Sequence, residues 1–306
     1  MDAEPRPRPD QTRTSARRVP LDLVRGGLMG CAEVVPGVSG GTVALITGVY
    51  GQLIDSAGHV VSAARAGVTG GPRAAREHLR RAHWAVLVPV LAGMAVALVV
   101  ASVVLEPLVT EHPVGSRAVF FGLVLASVVV PARMVGRWSP ARVLTAAAMA
   151  VAAFALTGLP AGAVSDPPLV LVAAAAAVAV CALVLPGVSG SFLLLTLGLY
   201  EVTLAAVSER DLAYLGAFAL GAVVGLASFV RVLQHLLERH ADVTLSVMTG
   251  LLAGSLRALW PWQDGDRTLL APGQDVGTVA ALALAGAAGV ALLLVVQSRL
   301  EGRLPR

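Results

Sequence analysis

Two serines stand in the same five-residue string, Pro36-Gly37-Val38-Ser39-Gly40 and Pro186-Gly187-Val188-Ser189-Gly190, inside otherwise apolar segments. Gly41 and Thr42 follow the first copy and Ser191 the second. Proline and clustered glycine free backbone groups from helix bonding. A helix that resumes after such a break begins with unbonded N–H groups at the positive end of its dipole. Serine and threonine cap such starts, glycine permits close approach, and the combination suits a phosphate or carboxylate. Glu33 lies three residues before Pro36, where the second copy has Leu183. A carboxylate in a membrane segment points to a proton or cation relay. Arg25 and Arg231 lie at the margins of apolar segments and are candidates for countercharge. The candidate binding set is therefore Arg25, Glu33, Pro36, Gly37, Ser39, Gly40, Gly41, Thr42, Pro186, Gly187, Ser189, Gly190, Ser191 and Arg231.

Other chemistry finds less support. Gly37-Val38-Ser39-Gly40 also fits the Gly-x-Ser-Gly pattern of intramembrane serine hydrolases. A serine nucleophile needs a base in reach, usually His, and none of the six His lies mid-span among small residues. His235 and His240 flank a basic turn, no His set has metal-ligand spacing, and no metal or cofactor is expected. All 23 basic Lys/Arg residues are arginine, so a phosphate-binding Gly-x-x-x-x-Gly-Lys motif is absent. Cys31 and Cys181 are lone thiols in apolar segments and read as small core residues. Arg117, Arg133, Glu106 and Glu201 stand at segment ends, as ordinary interface anchors do.

The elements that position the two strings belong to a membrane protein. Of 306 residues 56% are hydrophobic and 14% charged, against about 45–50% and about 25% in a soluble domain. Spanning segments of roughly 20 apolar residues are expected at 84–105, 118–132, 143–159, 212–230, 243–259 and 277–296. Two further stretches, 23–54 and 169–207, are apolar but interrupted by the Pro-Gly strings.

Those interruptions are copies of one sequence. Residues 31–50 overlie 181–200 in register, from the paired cysteines through Gly48 and Gly198 to Tyr50 and Tyr200. Downstream, Gly93 meets Gly221, His112 meets His240, and Gly122 meets Gly250. The first copy alone carries the polar segment around 64–81. If each interrupted stretch is a re-entrant hairpin followed by three spans, the second copy is inverted. The N-terminal stretch through Arg25, the 62–83 and 133–142 loops, the 231–240 turn and the C-terminus then share one face. They hold 19 of the 23 arginines, as the positive-inside rule asks of the cytoplasm. The 164–168 loop and the 260–275 segment face outward. The expected fold is an all-α integral membrane protein of two inverted repeats, each a re-entrant Pro-Gly-Val-Ser-Gly hairpin plus about three transmembrane helices. Its parts are a disordered basic cytoplasmic tail over 1–20, repeats over 21–160 and 161–298, and a cytoplasmic tail over 299–306. Inverted repeats with broken helices are the architecture of secondary transporters, whose breaks form the substrate site.

The string Arg25-Gly-Gly-Leu-Met-Gly-Cys-Ala-Glu33-Val-Val-Pro-Gly-Val-Ser-Gly-Gly-Thr42, with Gly48-Val-Tyr50, resembles the signature of the bacterial polyprenyl-phosphate transporters. Pro186–Gly190 and Gly198-Leu-Tyr200 resemble that family's other half, and the likeness covers roughly residues 20–300. Arg25 and Glu33 depart from that family's usual Lys and its Asp or Asn. The resemblance implies a translocase that returns undecaprenyl phosphate across the cytoplasmic membrane to recycle the carrier lipid of cell-wall and surface-polymer synthesis. It further implies membrane lipids and a coupling proton or cation as partners, and no nucleic acid. The residues alone reach a transporter of something anionic, with a small soluble anion as the alternative substrate and an intramembrane serine hydrolase as the alternative class.

Overall fold

The computed structural model describes residues 19–34, 39–159, 164, 166–264, 267–273 and 275–302. Nearly all of the expected N-terminal tail, the Pro36-Gly37 pair and the last four residues lie outside the described residues. The rest is helical. In chain order the helices are α1 (Val19–Val34), α2 (Gly40–Ile46), α3 (Tyr50–Thr69), α4 (Pro72–Arg81), α5 (Trp84–Glu111), α6 (Pro113–Met134), α7 (Pro140–Thr157), α8 (Leu169–Val184), α9 (Gly190–Thr196), α10 (Tyr200–Glu209), α11 (Leu212–Arg239), α12 (Ala241–Ser255) and α13 (Val276–Gly302), with a 3-10 turn at Leu256–Leu259.

Five of these, α5, α6, α7, α11 and α13, are long and apolar enough to cross a membrane. Large apolar side chains cover their outer faces: Leu144 and Leu284 are each 70% exposed. Such surface is stable only against lipid. The sixth expected span, 243–259, forms α12, which has 15 residues. At 1.5 Å per residue it falls short of a hydrocarbon core of roughly 30 Å. It can be short because it is central, packed against α6, α7 and α11 with ten of its residues buried. The amphipathic end of α11 carries that helix past the expected 230 to Arg239.

The duplicated sequence gives duplicated structure. The turns at Gly48 and Gly198 take the same left-handed backbone, φ 74° and 75°, which is why both positions are glycine. Beyond the second turn α10 departs from the line of α9 by 108°. Packing follows the same correspondence. Helix α1 lies along α5 as α8 lies along α11, while α6 packs on α13 and α12 on α7. In the last two pairs, a helix of one copy seats on a helix of the other.

Small residues permit all four contacts. A methyl group at Gly93 would collide with the backbone at Leu23, and one at Gly221 with Ala173. At Gly122 it would meet Ala283 and at Gly250 Ala146. Where lipid tails are as apolar as leucine, backbone-to-backbone approach at small residues drives helix association.

Cross-links sort the loops into two ends. At one, His83 N donates to Ser56 Oγ at 3.0 Å, Gln234 Nε2 to Ile54 O at 3.2 Å, and Arg142 pairs with Asp242 at 2.9 Å. At the other, Arg267 Nη1 donates to Leu159 O at 2.8 Å and Arg117 Nη1 to Gln263 O at 3.4 Å.

A side chain at the closest contacts cannot be absorbed. Gly122→Leu and Gly250→Leu are expected to destabilise the detergent-solubilised protein by at least about 1–3 kcal/mol, while Gly216→Ala, which meets nothing within 4 Å, leaves thermal unfolding near wild type.

Candidate functional site

Each break delivers a short helix whose first turn is capped by its own serine. Ser39 Oγ accepts from Gly41 N at 3.2 Å, and Ser189 Oγ accepts from Phe192 N at 3.3 Å. Both serines are buried. The breaks also meet each other. Gly187 N donates to Thr42 Oγ1 at 3.1 Å, Tyr50 Oη donates to Val184 O at 3.0 Å, and Ser39 Oγ donates to Leu185 O at 3.5 Å. Three side chains of the first unit thus satisfy backbone groups of the second that Pro186 and Gly187 release. Helix α2 packs against α8 for the same reason.

Glu33 adopts a more specific position than a relay in an apolar segment. Its Oε1 accepts from Gly40 N at 2.6 Å, so a carboxylate already occupies the start of α2. The close fit explains Gly40, where a methyl group would press on the Glu33 side chain. Gly41 faces the carbonyls of Leu183 and Val184, and Gly190 that of Ala179. Ser191 shares a hydroxyl–hydroxyl bond of 2.9 Å with Ser189. Gly187 is buried at φ 88° against the backbone of Leu251 and Leu252, and Pro186 is buried beside it. Pro36 and Gly37 fall outside the described residues.

The two candidate cations do not join this group. Arg25 forms a 2.8 Å ion pair with Asp22, whose side chain is 1% exposed. The Asp22-x-x-Arg25 spacing carries that pair in the sequence. Arg231 is half-buried on α11, and no hydrogen bond or ion pair among the described residues links it to either break. Neither serine hydroxyl bonds a histidine: the partners are backbone groups and, for Ser189, the Ser191 hydroxyl.

Two spaces adjoin the breaks. A groove of about 530 Å³ between α1, α2, α6 and α13 is walled by apolar residues such as Leu28, Ile46, Phe120 and Leu293. A cavity of about 140 Å³ lies at the corresponding place in the second copy, between α7, α9 and α12, and touches Gly187 and Ser189. Its walls are mostly apolar, with the hydroxyl residues Thr157, Ser189 and Ser255 among them. Arg257 and Arg267, which no motif marks in the sequence, lie beside it. Arg257 stacks on Phe154 at 4.8 Å and Arg267 on Phe192 at 4.4 Å. Burial lowers the guanidinium pKa of Arg267 from its ordinary value, yet arginine remains charged at neutral pH. Their signal is positional: four arginines stand outside the expected cytoplasmic segments, and these are two of them.

Residues 29–276 match the family model described as undecaprenyl phosphate translocase-like. The chain is 36% identical over 242 residues to a polyprenyl-phosphate transporter of Vibrio cholerae, covering 79% of this chain and 77% of that one. It is 27% identical over 263 residues to a polyprenyl-phosphate transporter of Staphylococcus aureus, covering 79% of this chain and 86% of the other. No solved structure matches the chain significantly. The chain belongs to the undecaprenyl phosphate translocase-like family.

The contact between breaks is separable from ordinary helix packing. Thr42→Val strands the buried Gly187 N–H and is expected to cost about 1–3 kcal/mol in thermal unfolding. Thr47→Val loses only hydroxyl bonds to carbonyls of its own helix and is expected to cost much less.

Proposed function

We propose that this member of the family is a translocase that carries a polyprenyl phosphate, in bacteria undecaprenyl phosphate, across the cytoplasmic membrane, returning the carrier lipid for cell-wall and surface-polymer synthesis. The observation that carries the reading is the meeting of the two breaks through Thr42 and Gly187, with hydroxyls on one side and an apolar groove on the other. A lipid phosphate needs both environments at once.

In this reading α1–α2 and α8–α9 are re-entrant hairpins of two inverted repeats, one over 21–160 and the other over 161–298. The grouping of loops supports the inversion. The end that holds 54–56, 83, 136–142 and 234–242 is the arginine-rich, cytoplasmic one, where both termini also lie. The end that holds 117, 159, 196 and 257–270 faces outward.

The hydroxyls of Ser39, Thr42, Ser189 and Ser191, with the backbone of Gly40, Gly41, Gly187 and Gly190 in both Pro-Gly strings, receive the phosphate oxygens. The prenyl chain lies in the groove beside α13, whose apolar wall asks nothing of it but area, about 25 cal/mol per Å² buried. Glu33 holds the place of an anion in the absence of substrate. A phosphate that takes the Gly40 N–H must displace that carboxylate, and a proton on Glu33 eases the exchange by removing its charge and its claim on the amide. This gives a route for proton coupling. Arg25, through Asp22, and Arg231 fix helices at the cytoplasmic side and supply positive potential there. Rocking of one repeat against the other around the fixed breaks then alternates access.

Liposomes that carry a fluorescent polyprenyl phosphate and an impermeant quencher test the reading. Wild-type protein is expected to move the lipid between leaflets, and Ser39→Val with Ser189→Val to abolish movement while the protein stays folded. Glu33→Gln is expected to remove the response to a pH gradient. Full transport by the double serine variant would discard the hydroxyl cradle, and no movement by folded wild-type protein under any gradient would discard the translocase.

A further inference from the structure

Outside the proposed cytoplasmic segments stand four arginines, Arg117, Arg210, Arg257 and Arg267. Arginine on the outer face runs against the charge bias of membrane proteins, so its grouping there calls for a cause. Arg210 ends α10 in a left-handed cap. The other three surround the 256–270 segment. Arg117 Nη1 reaches Gln263 O at 3.4 Å, Arg257 Nη2 reaches Arg267 O at 3.4 Å, and Arg267 Nη1 reaches Leu159 O at 2.8 Å and Thr196 Oγ1 at 3.4 Å.

Arg257 and Arg267 converge on the last turn of α7. The guanidinium of Arg257 presses against Gly158 and the Phe154 ring, while that of Arg267 bonds Leu159 and covers the Phe192 ring. Neither pairs with a carboxylate among the described residues. The Nε of Arg257 is buried without an acceptor among the described residues. Two neighbouring guanidinium groups, partly desolvated and with no counter-ion among the described residues, are costly unless an anion joins them. Next to them lies the cavity of about 140 Å³, lined by Phe192, by Ala258, the chain neighbour of Arg257, and by Ser189.

We infer that Arg257 and Arg267 form an outward-facing binding site for a phosphate monoester, which receives the head group before it passes along the cavity to Ser189. The planar donors of arginine match phosphate oxygens in pairs, and two such cations balance the charge of about −1.5 to −2 on a phosphate monoester. Phe154 and Phe192 hold the guanidinium planes by stacking. The site has no counterpart in the first copy, where Val129 and Ser139 stand at the equivalent offset. It therefore gives the outer face a capture step that the inner face lacks, as import of a lipid from the outer leaflet requires. Assignment of the phosphate to a lipid rests on the translocase reading. The phosphate chemistry does not.

The test is isothermal titration of the purified full chain in detergent with farnesyl phosphate, inorganic phosphate and farnesol. Farnesyl phosphate is expected to bind, inorganic phosphate to bind at least 100-fold more weakly, and farnesol not at all. Arg257→Gln with Arg267→Gln is expected to weaken farnesyl phosphate at least tenfold, and Arg210→Gln to leave it unchanged. In the wild-type protein, farnesyl phosphate is expected to protect Arg257 and Arg267 from phenylglyoxal, read by mass spectrometry, so that the outcome does not depend on the folding of the double variant. Unchanged affinity in a folded double variant, or no protection of the two arginines, overturns the site. Equal affinity for inorganic phosphate overturns its assignment to a lipid head group. Arginine-dependent binding together with no lipid movement in wild-type liposomes leaves the site standing and removes the translocase instead.

Discussion

The fold turns on one constraint: backbone groups released by Pro-Gly in an apolar interior need partners. An unsatisfied amide in hydrocarbon costs several kcal/mol, so a broken helix there is stable only where something else supplies the bond. In this chain the first half supplies what the second lacks. Thr42 takes the Gly187 N–H, Tyr50 gives its hydroxyl to Val184, and Ser39 reaches Leu185. The second Pro-Gly-Val-Ser-Gly unit thus leans on the first, while the first meets its Gly40 amide with its own Glu33. The same need brings two hydroxyl-bearing loops into contact, so the feature that stabilises the breaks also concentrates polar groups where lipid would otherwise exclude them.

The interlocked helices follow from that meeting. For the breaks to touch, the helices behind them must close around a common centre, and α12 occupies it with Met248 and Leu252 fully buried. Packing α6 on α13 and α7 on α12 ties each copy to the other. Leucine-rich faces would gain little from such pairing in lipid, whereas Gly122 and Gly250 let backbones touch. Proposed rocking between the repeats would then slide these same contacts, and smooth glycine faces resist sliding less than interdigitated side chains do.

Much of this is legible in the order of residues. Pro-Gly-Val-Ser-Gly in register with Gly48 and Gly198 marks two like units, and both turns have the same φ. The hydroxyls of Ser39, Thr42 and Ser189 are legible because capping chemistry depends on local spacing. What escapes is tertiary. Helix α12 reads as a span from its apolarity, but burial relieves it of the length that lipid contact demands. Arg25 reads as free countercharge until Asp22, three residues away, is seen to hold it. Glu33 reads as a lone intramembrane acid because its partner is an amide seven residues on, beyond a break whose geometry no periodicity describes. Arg257 and Arg267 have no motif at all; only folding brings the last turn of α7 and the start of α9 to them.

Symmetry of frame and asymmetry of chemistry together suit directional transport. In the proposed inverted arrangement two like halves would give two conformations of similar energy, because exchanging the roles of the repeats would exchange inward and outward forms. Such a pair would hold the substrate equally well on both faces if the halves were chemically alike. They are not. Glu33 stands opposite Leu183, a groove of about 530 Å³ stands opposite a cavity of about 140 Å³ that touches Ser189, and Arg257 and Arg267 flank only the second. In the proposed cycle the arginines favour a phosphate on one face, and Glu33 competes for the Gly40 amide next to the other. The anion would be attracted before the breaks and displaced after them. Duplication would provide the alternation, and the residues at which the copies differ would set which face holds the anion more tightly and, through Glu33, where a proton gradient acts to give direction.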